Sequence, residues 1–230
     1  MKGGEAHQRR ARHQREGPGG PPPAPRAGSP PAPRPAVFLD RDGTLSEEIG
    51  YVNHPARLMV YPWAAEAVGL LNQAGFAAVV LTNQSGVARG YFSEELVGLV
   101  HQKLCEEIAR GGGRLDAIYY CPHHPEGKVE TYRQHCRCRK PDTGMMELAA
   151  AELELDLSRS FVVGDRYLEV EMARRAGLPC VFVLSGYGLG EYEYQRHNWT
   201  HSPQMVVPDV LAAVKEILKV GAHGRAPAQA

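Results

Sequence analysis

Ala36-Val37-Phe38-Leu39-Asp40-Arg41-Asp42-Gly43-Thr44 is an apolar run that ends abruptly in two carboxylates flanking an arginine. Four consecutive apolar residues without polar alternation fit a strand buried on both faces, as in a parallel sheet covered by helices. The same pattern recurs downstream. Apolar positions at helical spacing span 62–74, with Pro62 near the first turn and Gly75 after the end. A second buried strand is expected over 77–81, and a long helix over 93–110 with Ser93 as N-cap and Glu94 and Glu95 in its first turn. Strands are expected at 117–120, 161–164 and 180–184, and helices at 143–153, 168–176 and 208–220. Strands alternating with helices imply an α/β fold with a parallel sheet and right-handed crossovers.

In such sheets ligands bind beyond the carboxyl ends of the strands. The polar residues that follow the apolar runs are Asp40-Arg41-Asp42, Thr82-Asn83-Gln84-Ser85 and Asp165-Arg166, so these clusters are expected to meet at one edge. Two carboxylates so close together suit a nucleophile and a general acid–base. Gly43 permits a tight turn whose backbone N–H groups can face an anion. By itself this stretch is better explained as an Asp-Gly turn with a capping Asp. Thr82, Lys140 and Asp165 at later element ends favour the catalytic reading.

Phe38-Leu39-Asp40-Arg41-Asp42-Gly43-Thr44-Leu45 resembles the first signature of the haloacid dehalogenase superfamily of phosphatases. Val80-Leu81-Thr82-Asn83-Gln84-Ser85-Gly86 resembles the second, Lys140-Pro141 the third and Val162-Val163-Gly164-Asp165-Arg166 the fourth. The resemblance runs from about residue 36 to 220 and implies a Rossmann-like sheet with helices on both faces. No insertion of cap-domain size separates the signatures. By this resemblance Asp40 attacks phosphorus, while Asp42 protonates the leaving oxygen and later activates water. Thr82 and Lys140 would hold the transferring phosphoryl oxygens. Asp40, Asp165 and the backbone carbonyl of Asp42 would ligate Mg²⁺, a hard cation suited to oxygen ligands. Glu169 stands where the fourth signature usually carries a second Asp, and the longer carboxylate is expected to order a metal-bound water.

Cys121-Pro122-His123 and Cys136-Arg137-Cys138 bracket a loop of low hydrophobicity. Three thiolates and an imidazole make a closed tetrahedral Zn²⁺ site, which would order the loop and position Arg139 and Lys140 immediately after it. His124 and His135 read as solvated loop side chains, and Cys105 and Cys180 as core. The length of this zinc loop, with the following Arg-Lys-Pro, resembles the D,D-heptose 1,7-bisphosphate 7-phosphatases more than the histidinol-phosphate phosphatases, whose loop is shorter. Glu48-Ile49-Gly50-Tyr51-Val52 resembles the substrate segment of the heptose enzymes, although Ser46 replaces their usual Asn. The resemblance implies a phosphorylated sugar bound by Glu48, Ile49, Gly50, Tyr51, Thr82, Asn83, Gln84, Ser85, Arg139, Lys140 and Arg166. A histidinol-phosphate or broader sugar-phosphate phosphatase is the alternative.

Lys and Arg total 26 against 26 Asp and Glu, a balance that gives nucleic acid or an anionic membrane no electrostatic hold. No apolar run has the length of a membrane helix, and no apolar core follows the N-terminal arginines as in a secretory signal. A cytoplasmic monomer is therefore expected. Residues 1–35 are rich in Gly, Pro and Ala, carry Lys2, Arg9, Arg10, Arg12, Arg15, Arg26 and Arg34 against Glu5 and Glu16, and read as a disordered basic arm. Residues 221–230 read as a similar tail.

Overall fold

A computed structural model describes residues 13–14 and 32–222. The rest of the expected arm and of the expected tail lies outside these residues. Strands β1 (His13–Gln14), β2 (Ala36–Leu39), β3 (Ala77–Asn83), β4 (Ala117–Cys121), β5 (Phe161–Gly164), β6 (Cys180–Val183) and β7 (Met205–Val207) form one sheet in the order β1-β4-β3-β2-β5-β6-β7. All pairings from β4 to β7 are parallel, and β1 adds a short antiparallel edge. The chain steps outward from β2 through β3 to β4, then returns to β5 on the other side of β2. That reversal between β2 and β5 is the switch point at which open α/β sheets leave a crevice.

Helices α1 (Ala64–Gln73), α2 (Glu94–Arg110), α3 (Gly144–Leu153), α4 (Tyr167–Ala176), α5 (Gly188–Tyr194) and α6 (Val210–Ala222) pack on both faces. The alternation along β2 shows why the run is apolar throughout. Val37 and Leu39 enter a core with Val68 and Leu71 of α1, Leu104 and Ile108 of α2, and Val214 and Ile217 of α6. Ala36 and Phe38 enter the opposite core with Met145, Met146 and Ala149 of α3 and Val170 and Ala173 of α4. Each fully buried side chain of Phe38 size contributes about 1.5–3 kcal/mol, which fixes strand register against slippage.

The helix boundaries follow local chemistry. Ser93 Oγ accepts from Leu96 N at 3.3 Å and caps α2. Gly177 takes a left-handed φ of 71° and ends α4. Backbone bonds extend the ladders past the strands, Asp40 N donating to Val163 O at 3.0 Å and Gln84 N to Cys121 O at 2.7 Å. The signature residues beyond the strand ends are thereby held by the sheet itself. The segment between β2 and α1 is only a small flap, pinned by Gly43 N to Ser46 O at 2.7 Å and Glu47 N to Met59 O at 2.8 Å. Among the described residues no cap domain interrupts the chain. Among the described residues no helix is long and apolar enough to cross a membrane.

Candidate active site

Asp40, Asp42, Thr82, Asn83, Ser85, Arg139, Lys140 and Arg166 line one cavity of about 250 Å³ at the switch point, with Glu48, Gly50 and Tyr51 of the flap on its wall. Leu168, Glu169 and Tyr187 complete the lining. Two residues of the expected substrate set lie elsewhere. Ile49 packs against the core that α1, α2 and α6 cover, because an apolar side chain in a polar flap gains most by turning inward. Gln84 is buried beneath the cavity, donating Nε2 to Asp42 Oδ2 at 3.0 Å and to Thr82 Oγ1 at 2.8 Å.

Lys140 is the electrostatic centre. Its Nζ lies 2.7 Å from Asp40 Oδ1 and 2.7 Å from Glu169 Oε1, and donates to Leu81 O at 2.7 Å. Burial works against the ammonium charge, but the Asp40 and Glu169 carboxylates outweigh it and hold Lys140 charged above the usual lysine range. The backbone of Lys140 is held as firmly. Asn83 Nδ2 donates to Lys140 O at 3.2 Å, and Lys140 N donates to Asn83 Oδ1 at 3.1 Å. Asp40 Oδ1 also accepts from Arg41 N at 2.7 Å.

Glu169 does something the sequence did not reveal. It sits one turn into α4, where its Oε2 accepts from Arg166 N at 3.2 Å, and its other oxygen pairs with Lys140. Burial raises its proton affinity and Lys140 opposes that. The extra methylene, compared with Asp, spans the distance from the helix start to the lysine. In this structure that second oxygen makes a direct ion pair with Lys140 beside Asp40 and Asp165.

Asp40, Asp165 and Glu169 present carboxylate oxygens within 4.8 Å of one another. Asp165 is fully buried, its Oδ2 accepts from Tyr187 N at 2.9 Å, and its Oδ1 has no partner. Burial first, then the Asp40 and Glu169 charges, push the Asp165 carboxyl well above its ordinary range. A buried, half-unpaired carboxylate repelled by two others is the donor set a divalent cation satisfies. Gly43 (φ 81°) and Gly186 (φ 57°) both press against the Asp165 carboxylate, and a Cβ at either position would collide with it. Ser185 Oγ donates to Gly43 O at 2.6 Å, so the turn after β6 clamps the turn after β2 around Asp165.

The second cluster joins Cys121, His123, Cys136 and Cys138. Sγ atoms lie 3.5 Å (Cys121–Cys136), 3.3 Å (Cys121–Cys138) and 3.1 Å (Cys136–Cys138) apart, and His123 Nδ1 is 3.3 Å from Cys138 Sγ. All three cysteines are free thiols. Hydrogen bonds from Cys121 and Cys138 hold the Cys136 thiol far below its usual range, while the bond to Cys136 pushes the Cys121 thiol far up. Three thiols this close carry one negative charge comfortably, and three only around a cation. The spacing approaches the roughly 3.8 Å S–S edge that Zn–S bonds of about 2.3 Å imply for a tetrahedron. Arg139 Nη1 donates to His123 O at 3.3 Å, which ties this cluster to the cavity wall. Arg166, on the opposite wall, pairs through Nε with Glu191 Oε1 at 3.0 Å and lies over the Tyr187 ring.

Comparison with known proteins agrees with this geometry. A family model described as HAD-hydrolase-like matches residues 137–213. The D-glycero-D-manno-heptose-1,7-bisphosphate 7-phosphatase of Thermosynechococcus vestitus is 43% identical over 191 residues, covering 80% of this chain and 96% of that protein. The D-glycero-beta-D-manno-heptose-1,7-bisphosphate 7-phosphatase of Escherichia coli K12 is 42% identical over 178 residues, covering 77% and 93%. Among solved structures, the D,D-heptose 1,7-bisphosphate phosphatase of B. bronchiseptica, complexed with magnesium and phosphate, superimposes with a TM-score of 0.71 at 30% identity, covering 80% of this chain and 98% of that one. That of Burkholderia thailandensis gives 0.58 at 27% identity, with 80% and 99% covered.

Proposed function

We propose, because this chain belongs to the D-glycero-D-manno-heptose-1,7-bisphosphate 7-phosphatase family of haloacid dehalogenase-like hydrolases, that it hydrolyses the 7-phosphate of such a heptose bisphosphate through a phosphorylated Asp40. The observation that carries the reading is the meeting of Asp40, Lys140 and Arg139 on one cavity, with Arg139 held from the Cys/His cluster. Asp40 Oδ1 is engaged by Arg41 N and Lys140 Nζ, which orients the carboxylate for attack. The bond from Asp40 to phosphorus forms as the bond from phosphorus to the C7 oxygen breaks, and Asp42 gives that departing oxygen its carboxyl proton. Asp42 then takes a proton from water. The water oxygen bonds to phosphorus as the Asp40–phosphorus bond breaks, releasing inorganic phosphate and restoring the free carboxylate. Thr82 Oγ1 already accepts from Gln84, so its own hydroxyl proton is free for a phosphoryl oxygen. Lys140 supplies a fixed positive charge beside the same oxygens.

Asp40, Asp165 and the carbonyl of Asp42 would hold Mg²⁺, which when bound neutralises charge on the phosphoryl group and keeps the carboxylates ionised. Cys121, His123, Cys136 and Cys138 would hold a structural Zn²⁺. The need for reduced thiols fits a cytoplasmic enzyme. The chain is read as a monomer acting on a phosphorylated sugar rather than on nucleic acid or a membrane. Residues 36–220 are read as the phosphatase domain.

The Mg²⁺ assignment has a readout independent of activity. Asp165→Asn removes a buried carboxylate that its surroundings oppose, so thermal denaturation with chelator present should show a Tm no lower than wild type and up to a few degrees higher. About 1 kcal/mol corresponds to roughly 2–4 °C in a domain of this size. The same variant should lose the rise in Tm that millimolar Mg²⁺ gives the wild type. A lower Tm in chelator with the Mg²⁺ response intact would exclude Asp165 as a ligand.

Substrate choice is tested at Arg139. Its guanidinium can meet a second phosphate by paired hydrogen bonds. Arg139→Ala should lower kcat/KM for the bisphosphate far more than for a sugar with one phosphate. A lost contact of about 2–5 kcal/mol means roughly 30- to several-thousand-fold. Equal losses on both would remove Arg139 from that role. Faster turnover of histidinol phosphate than of the heptose bisphosphate would replace the substrate.

A further inference from the structure

The Asp42 carboxylate does not stand freely in the cavity. Arg41 Nε donates to its Oδ1 at 3.0 Å and Arg41 Nη2 to its Oδ2 at 2.8 Å, while Gln84 Nε2 adds a third donor to Oδ2 at 3.0 Å. The donors are themselves immobilised. Arg41 is 1% exposed and Gln84 5%, and the Arg41 carbonyl accepts from Leu45 N and Ser46 N at 2.9 Å each. Asp42 is the only carboxylate paired with Arg41 among the described residues. A guanidinium removed from water is costly unless its partner stays in place. Two parallel bonds from a planar fork fix both the position and the plane of a carboxylate, whereas an ammonium would fix one point.

Gln84 extends the arrangement. Its single amide nitrogen bridges Asp42 and Thr82 Oγ1, linking the expected acid–base to the side chain expected to hold a phosphoryl oxygen. Arg41 faces the other way as well, its backbone N–H donating to Asp40 Oδ1 at 2.7 Å. One residue therefore touches both carboxylates of the reaction, one through its backbone and one through its fork.

We infer that Arg41 and Gln84 are positioning residues that set where the Asp42 carboxyl stands relative to the departing oxygen of the ester. The inference rests on the reading of Asp42 as the proton donor and acceptor given above. It makes a selective demand on the chemistry. A sugar alkoxide needs a proton as it leaves, whereas an aryloxide such as nitrophenolate leaves without one, so mispositioning Asp42 should harm only the first.

The test uses the full chain with Mg²⁺ and measures the rapid-quench rate of phosphoenzyme formation with the heptose bisphosphate and with para-nitrophenyl phosphate. Arg41→Met should slow the sugar ester about 100-fold or more, the scale of general acid catalysis, with KM within about threefold and the aryl rate within about threefold. Arg41→Lys should recover part of the loss. Gln84→Met, which removes the third donor to Asp42 together with the bond to Thr82 Oγ1, should show the same selectivity at about tenfold, and it decides the matter if Arg41→Met does not fold. Equal slowing on both esters, or a loss confined to KM, would make the fork a purely structural contact and overturn the inference. Asp42→Asn run in parallel separates the two levels. If it shows the sugar-over-aryl selectivity while the Arg41 and Gln84 variants do not, only the positioning role falls. If it shows none, the reading of Asp42 falls and the inference with it.

Discussion

Asp40→Asn is expected to lower phosphate release by at least about 10⁴-fold, the scale on which removing a covalent nucleophile acts, with no loss of folded structure. An amide cannot form the acyl phosphate. Glu169 keeps Lys140 company at 2.7 Å, so the buried ammonium is not stranded by the change. The Asp40 charge is one of the groups that push Asp165 up, so its removal relaxes the remaining cluster. Far-ultraviolet circular dichroism should match wild type, and acid-quenched labelling should find no phosphorylated protein. Turnover above about one per cent of wild type on the preferred substrate would end the covalent mechanism.

Replacing Cys136 and Cys138 together by Ser should abolish tight zinc binding and lower kcat/KM by about 100-fold or more, the upper range for lost support around a metal-held site. A hydroxyl offers no thiolate at neutral pH, and two ligands alone do not hold zinc tightly. The loop then loses the point that joins His123 to Arg139, and with it the frame on which Arg139 and Lys140 follow one another. The sheet should survive. Lys140 is still gripped by Asn83 and Leu81 at the end of β3, and the core under α3 and α4, against which Cys136 and Cys138 pack, keeps its apolar side chains. The checks are metal analysis of freshly purified protein, expected at about one zinc per chain that resists mild chelation, and activity of the double variant. Zinc-free wild-type protein, or an unimpaired variant, would contradict the assignment.

Much of this could be read directly from the amino-acid order, for a physical reason. A parallel strand must be apolar along its length and must stop being so where it reaches the crevice. Asp40, Thr82 and Asp165 therefore announce themselves as the first polar residues after buried runs. The expected helices at 62–74, 93–110 and 143–153 match α1, α2 and α3 to within two residues at each end, since capping and apolar period agree there. The parallel strand β7 escaped because Met205–Val207 is three residues long and only half-buried. Helix α5 escaped because Gly188-Leu189-Gly190 at its start carries no helical signal, although Glu191 within it holds Arg166.

The side-chain partnerships were less legible than the positions. Glu169 is read from sequence as a carboxylate that orders a metal-bound water, and only the structure shows it paired with Lys140. The fork from Arg41 to Asp42 joins adjacent residues, yet strand alternation would send their side chains apart. It forms because the backbone turns at once, with Gly43 at φ 81° and Ser46 bonded back to Arg41. Ile49 shows the opposite error, an apolar residue in a polar segment that serves the core and not the cavity. Tyr187, whose N–H holds Asp165, acts through its backbone and leaves no residue-type signal at all.

Phosphorus NMR of the wild-type protein turning over D-glycero-D-manno-heptose 1,7-bisphosphate with Mg²⁺ tests the central claim most directly. The C7 phosphomonoester resonance should disappear as inorganic phosphate grows, while the anomeric 1-phosphate resonance persists at full intensity. Loss of the anomeric phosphate first, or no release from this sugar under conditions in which another phosphate ester is hydrolysed, would contradict the account.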